Sequence, residues 1–85
     1  MKWGLQYAPR VQKDLKNIPQ EARQRIKAAL DKLQENPKSV AKYLRNHPVA
    51  DYSLRIGTYR VLFDLDHENK TIIVLKIGHR KDVYR

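Results

Sequence analysis

Arg55, Arg60, Lys76, His79, Arg80 and Tyr84 are the side chains of this 85-residue chain whose types and spacing suit joint chemistry. Arg55 lies in "LRIG" and Arg60 in "TYRV", and the other four fall in the terminal stretch "LKIGHRKDVYR". Arginine offers planar, multi-donor positive charge that matches a phosphate, but it cannot act as a base because its pKa lies above about 12. Lysine, histidine or tyrosine can take a proton when neighbouring cations lower its pKa. Cleavage of RNA through its own 2′-hydroxyl asks little more of a protein. It needs an acceptor for the 2′-OH proton, a proton for the departing 5′-oxygen, and cations around the crowded phosphate. Here the acceptor would be Lys76, His79 or Tyr84, and no metal or cofactor is required. A second reading, in which the cations only grip backbone phosphates, stands level with the first on these residues alone.

The charge distribution points to the same kind of partner. Eighteen Lys and Arg against nine Asp and Glu leave a net charge of +9, which on so small a body implies a polyanion, nucleic acid or acidic protein. The first 35 residues mix eight cations with four acids, as an ordinary solvated surface does. From Asn36 to Phe63, by contrast, Lys38, Lys42, Arg45, Arg55 and Arg60 face Asp51 alone, and the terminal segment adds Lys76, Arg80, Lys81 and Arg85 against Asp82. Lys42, Arg45, Lys81 and Arg85 are read as contacts to an RNA backbone, Arg45 also as a secondary candidate for the site itself.

Other chemistries find little support. There is no cysteine, which removes thiol catalysis, zinc–thiolate sites and disulfides, and makes a cytoplasmic location the default. His47, His67 and His79 lack ligand spacing, so no metal site is expected. Ser39 and Ser53 have no nucleophile-elbow context, and the three glycines form no phosphate loop. Asp64 and Asp66 share a strand face but read best as the solvated end of a hairpin. No apolar run is long enough to span a bilayer. Eighty-five residues support one core, hence one domain over residues 1–85.

The elements that must position these groups follow from periodicity. Trp3, Leu5 and Tyr7 alternate as in a short strand. Val11, Leu15 and Ile18 form one apolar stripe on a helix that starts near Pro9, and Pro19 breaks it. Ala22, Ile26, Ala29, Leu30 and Leu33 mark a longer helix, stopped by Asn36-Pro37. Residues 38–50 read as a loop with one helical turn. Three strands then follow: "DYSLRI", "YRVLFDLD" after a tight Gly57-Thr58 turn, and "TIIVLKIG", apolar on both faces and so interior to the sheet. The expected fold is α+β, in the order β-α-α-β-β-β, with a helical hairpin on one face of a small, mainly antiparallel sheet. Its other face carries Arg55 and Arg60, with Lys76 and Arg80 close by. Gly78 is expected to release the chain from the sheet, which would let His79 and Arg80 both reach that face.

From Tyr52 to Arg85 the chain resembles the C-terminal half of toxins of the RelE/ParE superfamily. Shared features are a strand ending Leu-Arg-x-Gly, then Tyr-Arg-Val and an aromatic, a hairpin, and an apolar strand ending Gly-His-Arg before a Tyr. "LQYAPRVQKDLKNIP" resembles their first strand and helix. The resemblance implies a toxin neutralised by a cognate acidic, RelB-like antitoxin. RelE-type members cut mRNA in the ribosomal A site without metal, so ribosome, mRNA and rRNA are implied partners; ParE-type members instead poison DNA gyrase. It also implies roles: Arg60 and Arg80 on the phosphate in the transition state, Tyr84 orienting the reacting nucleotide, and Arg55 at a basic strand position. One departure concerns the base. RelE enzymes carry lysines just before Leu-Arg, where this chain has Asp51 and Ser53.

Overall fold

The computed structural model describes residues 2–80. A short strand, β1 (Gly4–Tyr7), leads into α1 (Arg10–Lys16) and α2 (Gln20–Glu35). Pro19, at φ −56° and ψ 150°, separates the helices, because its ring removes a donor and disfavours helical geometry at the preceding Ile18. A single turn, α3 (Pro37–Val40), and a two-residue strand, β2 (Lys42–Tyr43), come next. The long strands β3 (Tyr52–Ile56), β4 (Tyr59–Asp66) and β5 (Thr71–His79) complete the sheet. The strand order is β1-β5-β4-β3-β2, with every pair antiparallel except β1 with β5. The expected α+β architecture is therefore present, with α3 and β2 added where the sequence suggested a loop and one helical turn. Two residues are too few for alternation to register as a strand.

The helices cover one face of this sheet. Ile26, Leu30 and Leu33 of α2 and Val11 of α1 meet Leu54, Val61, Phe63, Ile72, Val74 and Ile77. Burying each large side chain of this kind contributes roughly 1.5–3 kcal/mol. Phe63 stacks on Tyr52 at 5.5 Å, and Tyr43 meets Tyr52 edge-on at the same distance.

Strand β5 does not keep simple alternation. Leu62 pairs with Lys76, but Phe63 pairs with Val74, so Leu75 is an extra residue in a β-bulge. The bulge shifts the parity of everything after it. Ile72, Val74 and Ile77 all enter the helix-side core, while Lys76 stands in register with Leu62 of the opposite face.

That opposite face has a small core of its own. Leu44 and Ala50, from the segment after β2, close over Leu62 and Leu75. Asp64 anchors the segment by accepting a hydrogen bond from the Asp51 backbone N–H at 2.7 Å, and Leu44 N–H donates to the Asp51 carbonyl at the same distance. Both hydrophobic faces of β5 are thus satisfied. Asp66 ends the β4–β5 hairpin: its carboxylate accepts from the Asn69 side chain at 2.8 Å and backbone at 3.2 Å. Those bonds hold its carboxyl below the usual value.

Candidate functional site

Register decides which side chains gather on the sheet face turned away from the helices. Lys42, Ser53, Leu62 and Lys76 stand in one cross-strand row over β2, β3, β4 and β5. Two residues nearer the β3–β4 turn, Arg55 is directly opposite Arg60, and Arg60 is opposite Gly78. Gly57, at φ +59°, makes that tight turn possible, since only glycine enters this region without steric cost. Neighbouring strands lie about 4.8 Å apart, so the two arginines are held close by the backbone itself.

Arg55 is exposed and Arg60 half-buried. The Arg60 guanidinium donates to the Tyr59 carbonyl at 3.2 Å, which turns part of the fork back against the strand. Among the described residues no carboxylate pairs with either arginine. Like charges directly opposed across a sheet cost roughly 0.2–1 kcal/mol, and nothing nearby offsets that cost. In front of them lies an open hollow of about 220 Å³, lined by Val40, Lys42, Ser53, Arg55 and Arg60. Its chemistry is that of an anion seat: two five-donor forks, an amine and a hydroxyl, with a single apolar wall.

Arg80 lies at the same end of the molecule. Its backbone N–H donates to the Thr58 carbonyl at 2.8 Å, which pins it beside the β3–β4 turn. His79 lies elsewhere. The chain does not leave the sheet at Gly78; β5 runs on to His79, which pairs with Tyr59 and meets its ring edge-on at 6.0 Å. Tyr59 packs against the helix-side core, so His79 and Arg60 are on opposite faces, as strand alternation requires.

A second cavity, about 290 Å³, opens on the His79 side, lined by residues that include Arg10, Asp14, Tyr59, Lys76 and His79. It exists because β1 pairs with β5 only as far as Val74. Beyond that point Asp14 of α1 covers the strand edge, accepting from the Ile77 N–H at 3.1 Å and from Arg10 at 3.4 Å. Lys76 thus stands at the far end of the row from Lys42, beside this second cavity. Arg45 is exposed on the segment after β2 and does not line the Arg55–Arg60 hollow. Lys81, Tyr84 and Arg85 lie outside the described residues.

The sequence thus points to Arg55 and Arg60 as neighbours, and they are. Missing from that reading are the walls of the hollow: Val40 at the end of α3, Ser53, and the position of Lys42 across from it. Alternation in "DYSLRI" places Ser53 on the Arg55 face, whereas no local pattern announces β2.

Comparisons with known proteins agree with this fold. A family profile described as the ParE toxin of the type II toxin–antitoxin system, parDE, matches residues 5–84. The toxin RelG of Mycobacterium tuberculosis is 31% identical over 86 residues, covering 100% of this chain and 99% of RelG. Among solved structures, a chain of the RelBE2 toxin–antitoxin complex of M. tuberculosis is similar at a TM-score of 0.83 and 28% identity, over 94% of this chain and 100% of that one. The RelE–RelB complex of Pyrococcus horikoshii gives 0.79 and 25%, over 98% and 100%.

Proposed function

The chain belongs to the RelE/ParE family of toxins of type II toxin–antitoxin systems, and from that premise we propose that it is a ribosome-dependent endoribonuclease that cuts mRNA in the A site. The observation that carries this reading is the Arg55–Arg60 pair, opposed across β3 and β4 at a hollow with no carboxylate partner among the described residues. An arrangement that costs stability persists where a ligand needs it, and the ligand two arginine forks fit is a phosphodiester.

In the reaction the 2′-oxygen of one nucleotide attacks its own 3′-phosphate. A 2′,3′-cyclic phosphate forms as the bond to the 5′-oxygen of the next nucleotide breaks. Negative charge on the phosphoryl oxygens peaks at the five-coordinate stage, where preorganised donors are worth most. Arg60 and Arg80 meet that charge, with Arg55 seating the phosphate. Tyr84 orients the reacting nucleotide, and Arg45, Lys81 and Arg85 hold flanking RNA. The chemistry assigned to these side chains is metal-independent.

A cytoplasmic address accompanies a ribosomal target, and no helix among the described residues is long and apolar enough to cross a membrane. The partner that restrains the toxin is an acidic antitoxin, whose carboxylates complement the +9 charge. A second reading, a toxin that inhibits DNA gyrase by protein–protein contact, draws on the description of the matching family as ParE.

One pair of assays separates the two. Purified protein is added to translating ribosomes and the mRNA is mapped by primer extension, beside a gyrase supercoiling assay. Codon-phased cuts with supercoiling intact are expected; no cleavage together with lost supercoiling would overturn the nuclease reading.

A further inference from the structure

We propose that Lys42 is a catalytic residue, the general base that takes the proton from the attacking 2′-hydroxyl. This inference rests on the nuclease reading above and names a group that it leaves open.

The argument is one of placement followed by elimination. Lys42 stands directly opposite Ser53 across β2 and β3, so it rises from the face that carries Arg55 and Arg60, and it lines the same hollow. Of the five residues that line that hollow, Val40 has no proton chemistry and the two arginines keep their protons at any working pH. A serine hydroxyl is no base. The Lys42 amine is the remaining acceptor on the described walls. Of the other candidates, Tyr84 lies outside the described residues, and two do not line the hollow. His79 is on the helix side against Tyr59, and Lys76, on β5 beside the strand of Arg60, lines the cavity at α1 instead of this hollow.

The geometry also suits the direction of transfer. A phosphate held by Arg55 and Arg60 lies over β3 and β4, and the lysine reaches in from β2, on one side of them. The departing 5′-oxygen must leave on the side opposite the 2′-oxygen in an in-line displacement, so attacking and leaving oxygens cannot share one nearby group. One lysine beside the phosphate serves one side only, and Lys42 is assigned the attacking side.

The step balances as follows. The neutral amine takes the 2′-OH proton and becomes ammonium while the 2′-oxygen forms its bond to phosphorus. The P–O5′ bond breaks with its electron pair going to O5′, which takes a proton from water. The hydroxide left behind is neutralised by the Lys42 ammonium, and this restores the amine. RNA is converted into a cyclic phosphate and a 5′-hydroxyl with no net gain or loss of protons.

The test is single-turnover cleavage of ribosome-bound mRNA by the unaltered protein, K42A and K42R, measured from pH 6 to 9. Circular dichroism checks that each variant is folded, as expected for a residue exposed on a two-residue edge strand. Loss of a positioned base costs on the order of a hundredfold or more. We expect K42A to fall by that amount and to lose the rise of rate with pH that a neutral amine imposes. K42R should be equally slow, because it keeps the charge but cannot accept the proton. If K42R cleaves at close to the unaltered rate, Lys42 is a phosphate grip and the assignment fails while the nuclease reading survives. An unchanged pH slope in K42A has the same meaning. Absence of cleavage by the unaltered protein overturns the nuclease reading, and this assignment with it.

Discussion

The two ends of one sheet face are built on opposite terms. At the end near the β4–β5 hairpin, Leu62 and Leu75 are covered by Leu44 and Ala50, and the covering segment is tied down through Asp64. At the end near the β3–β4 turn, two residues farther along the same strands, Arg55 and Arg60 are set against each other and left open. The first arrangement removes apolar surface from water. The second forces like charges together and gains nothing for the folded state. The sheet backbone is continuous between them, so the difference lies in side chains alone. On the proposed reading stability and function are thereby separated along a strand, and a substitution at either end should move one property far more than the other.

The largest effect should come from the open end. Arg60→Ala removes a half-buried guanidinium that, on the proposed reading, meets the developing phosphoryl charge. Losing one such preorganised donor typically costs about 100- to 1,000-fold in rate. Cleavage on the ribosome should fall by that amount while the urea midpoint stays level or rises. A fall in stability of similar size would mean that Arg60 belongs to the fold and would break the contrast.

Much of this division can be read in the sequence. Alternation in "DYSLRI" and "YRVLFDLD" places Leu54, Val61 and Phe63 toward the helices and Arg55 and Arg60 away from them, because strand faces are set by local parity. What parity cannot reveal is a bulge. Leu75 becomes the extra residue only through its pairing with β4, and that one slip decides that Lys76 joins the row of Leu62 while Ile77 enters the main core. The cover over Leu62 is equally hidden. "YLRNHPVA" has no period, and its Leu44 and Ala50 gain meaning only from the surface on which they land. The same slip places His79: it shares the face of Ile77, so with the bulge and no turn at Gly78 it faces away from Arg60.

The closed end supplies the next largest effect. Leu62 is fully buried under Leu44 and Ala50, so Leu62→Ala leaves a cavity in a small cluster with few ways to collapse. A loss of about 2–4 kcal/mol is expected, measured as a lower urea midpoint with an unchanged slope. Cleavage per folded molecule should hold under conditions where the variant remains native. Should activity drop in step with the core, the covering segment would be shaping the hollow as well as shielding Leu62, and the two ends would not be separable.

The smallest effect is the most telling about the open end, because its sign is opposite to that of most substitutions. Arg55→Thr replaces one member of the opposed pair with a β-branched residue suited to a strand, at an exposed position where no packing is lost. Removing the like-charge contact with Arg60 should raise stability by about 0.2–1 kcal/mol. The gain should shrink in high salt, because a contact this exposed is screened by ions. Urea titrations at two ionic strengths test both claims. The same variant should bind and cleave RNA more weakly, since it gives up one of the two forks that seat the phosphate. A variant that is more stable and less active assigns the repulsion between Arg55 and Arg60 to function. One that is less stable would mean that Arg55 contributes packing along its stem, and the open end would then resemble the closed one more than its charges suggest.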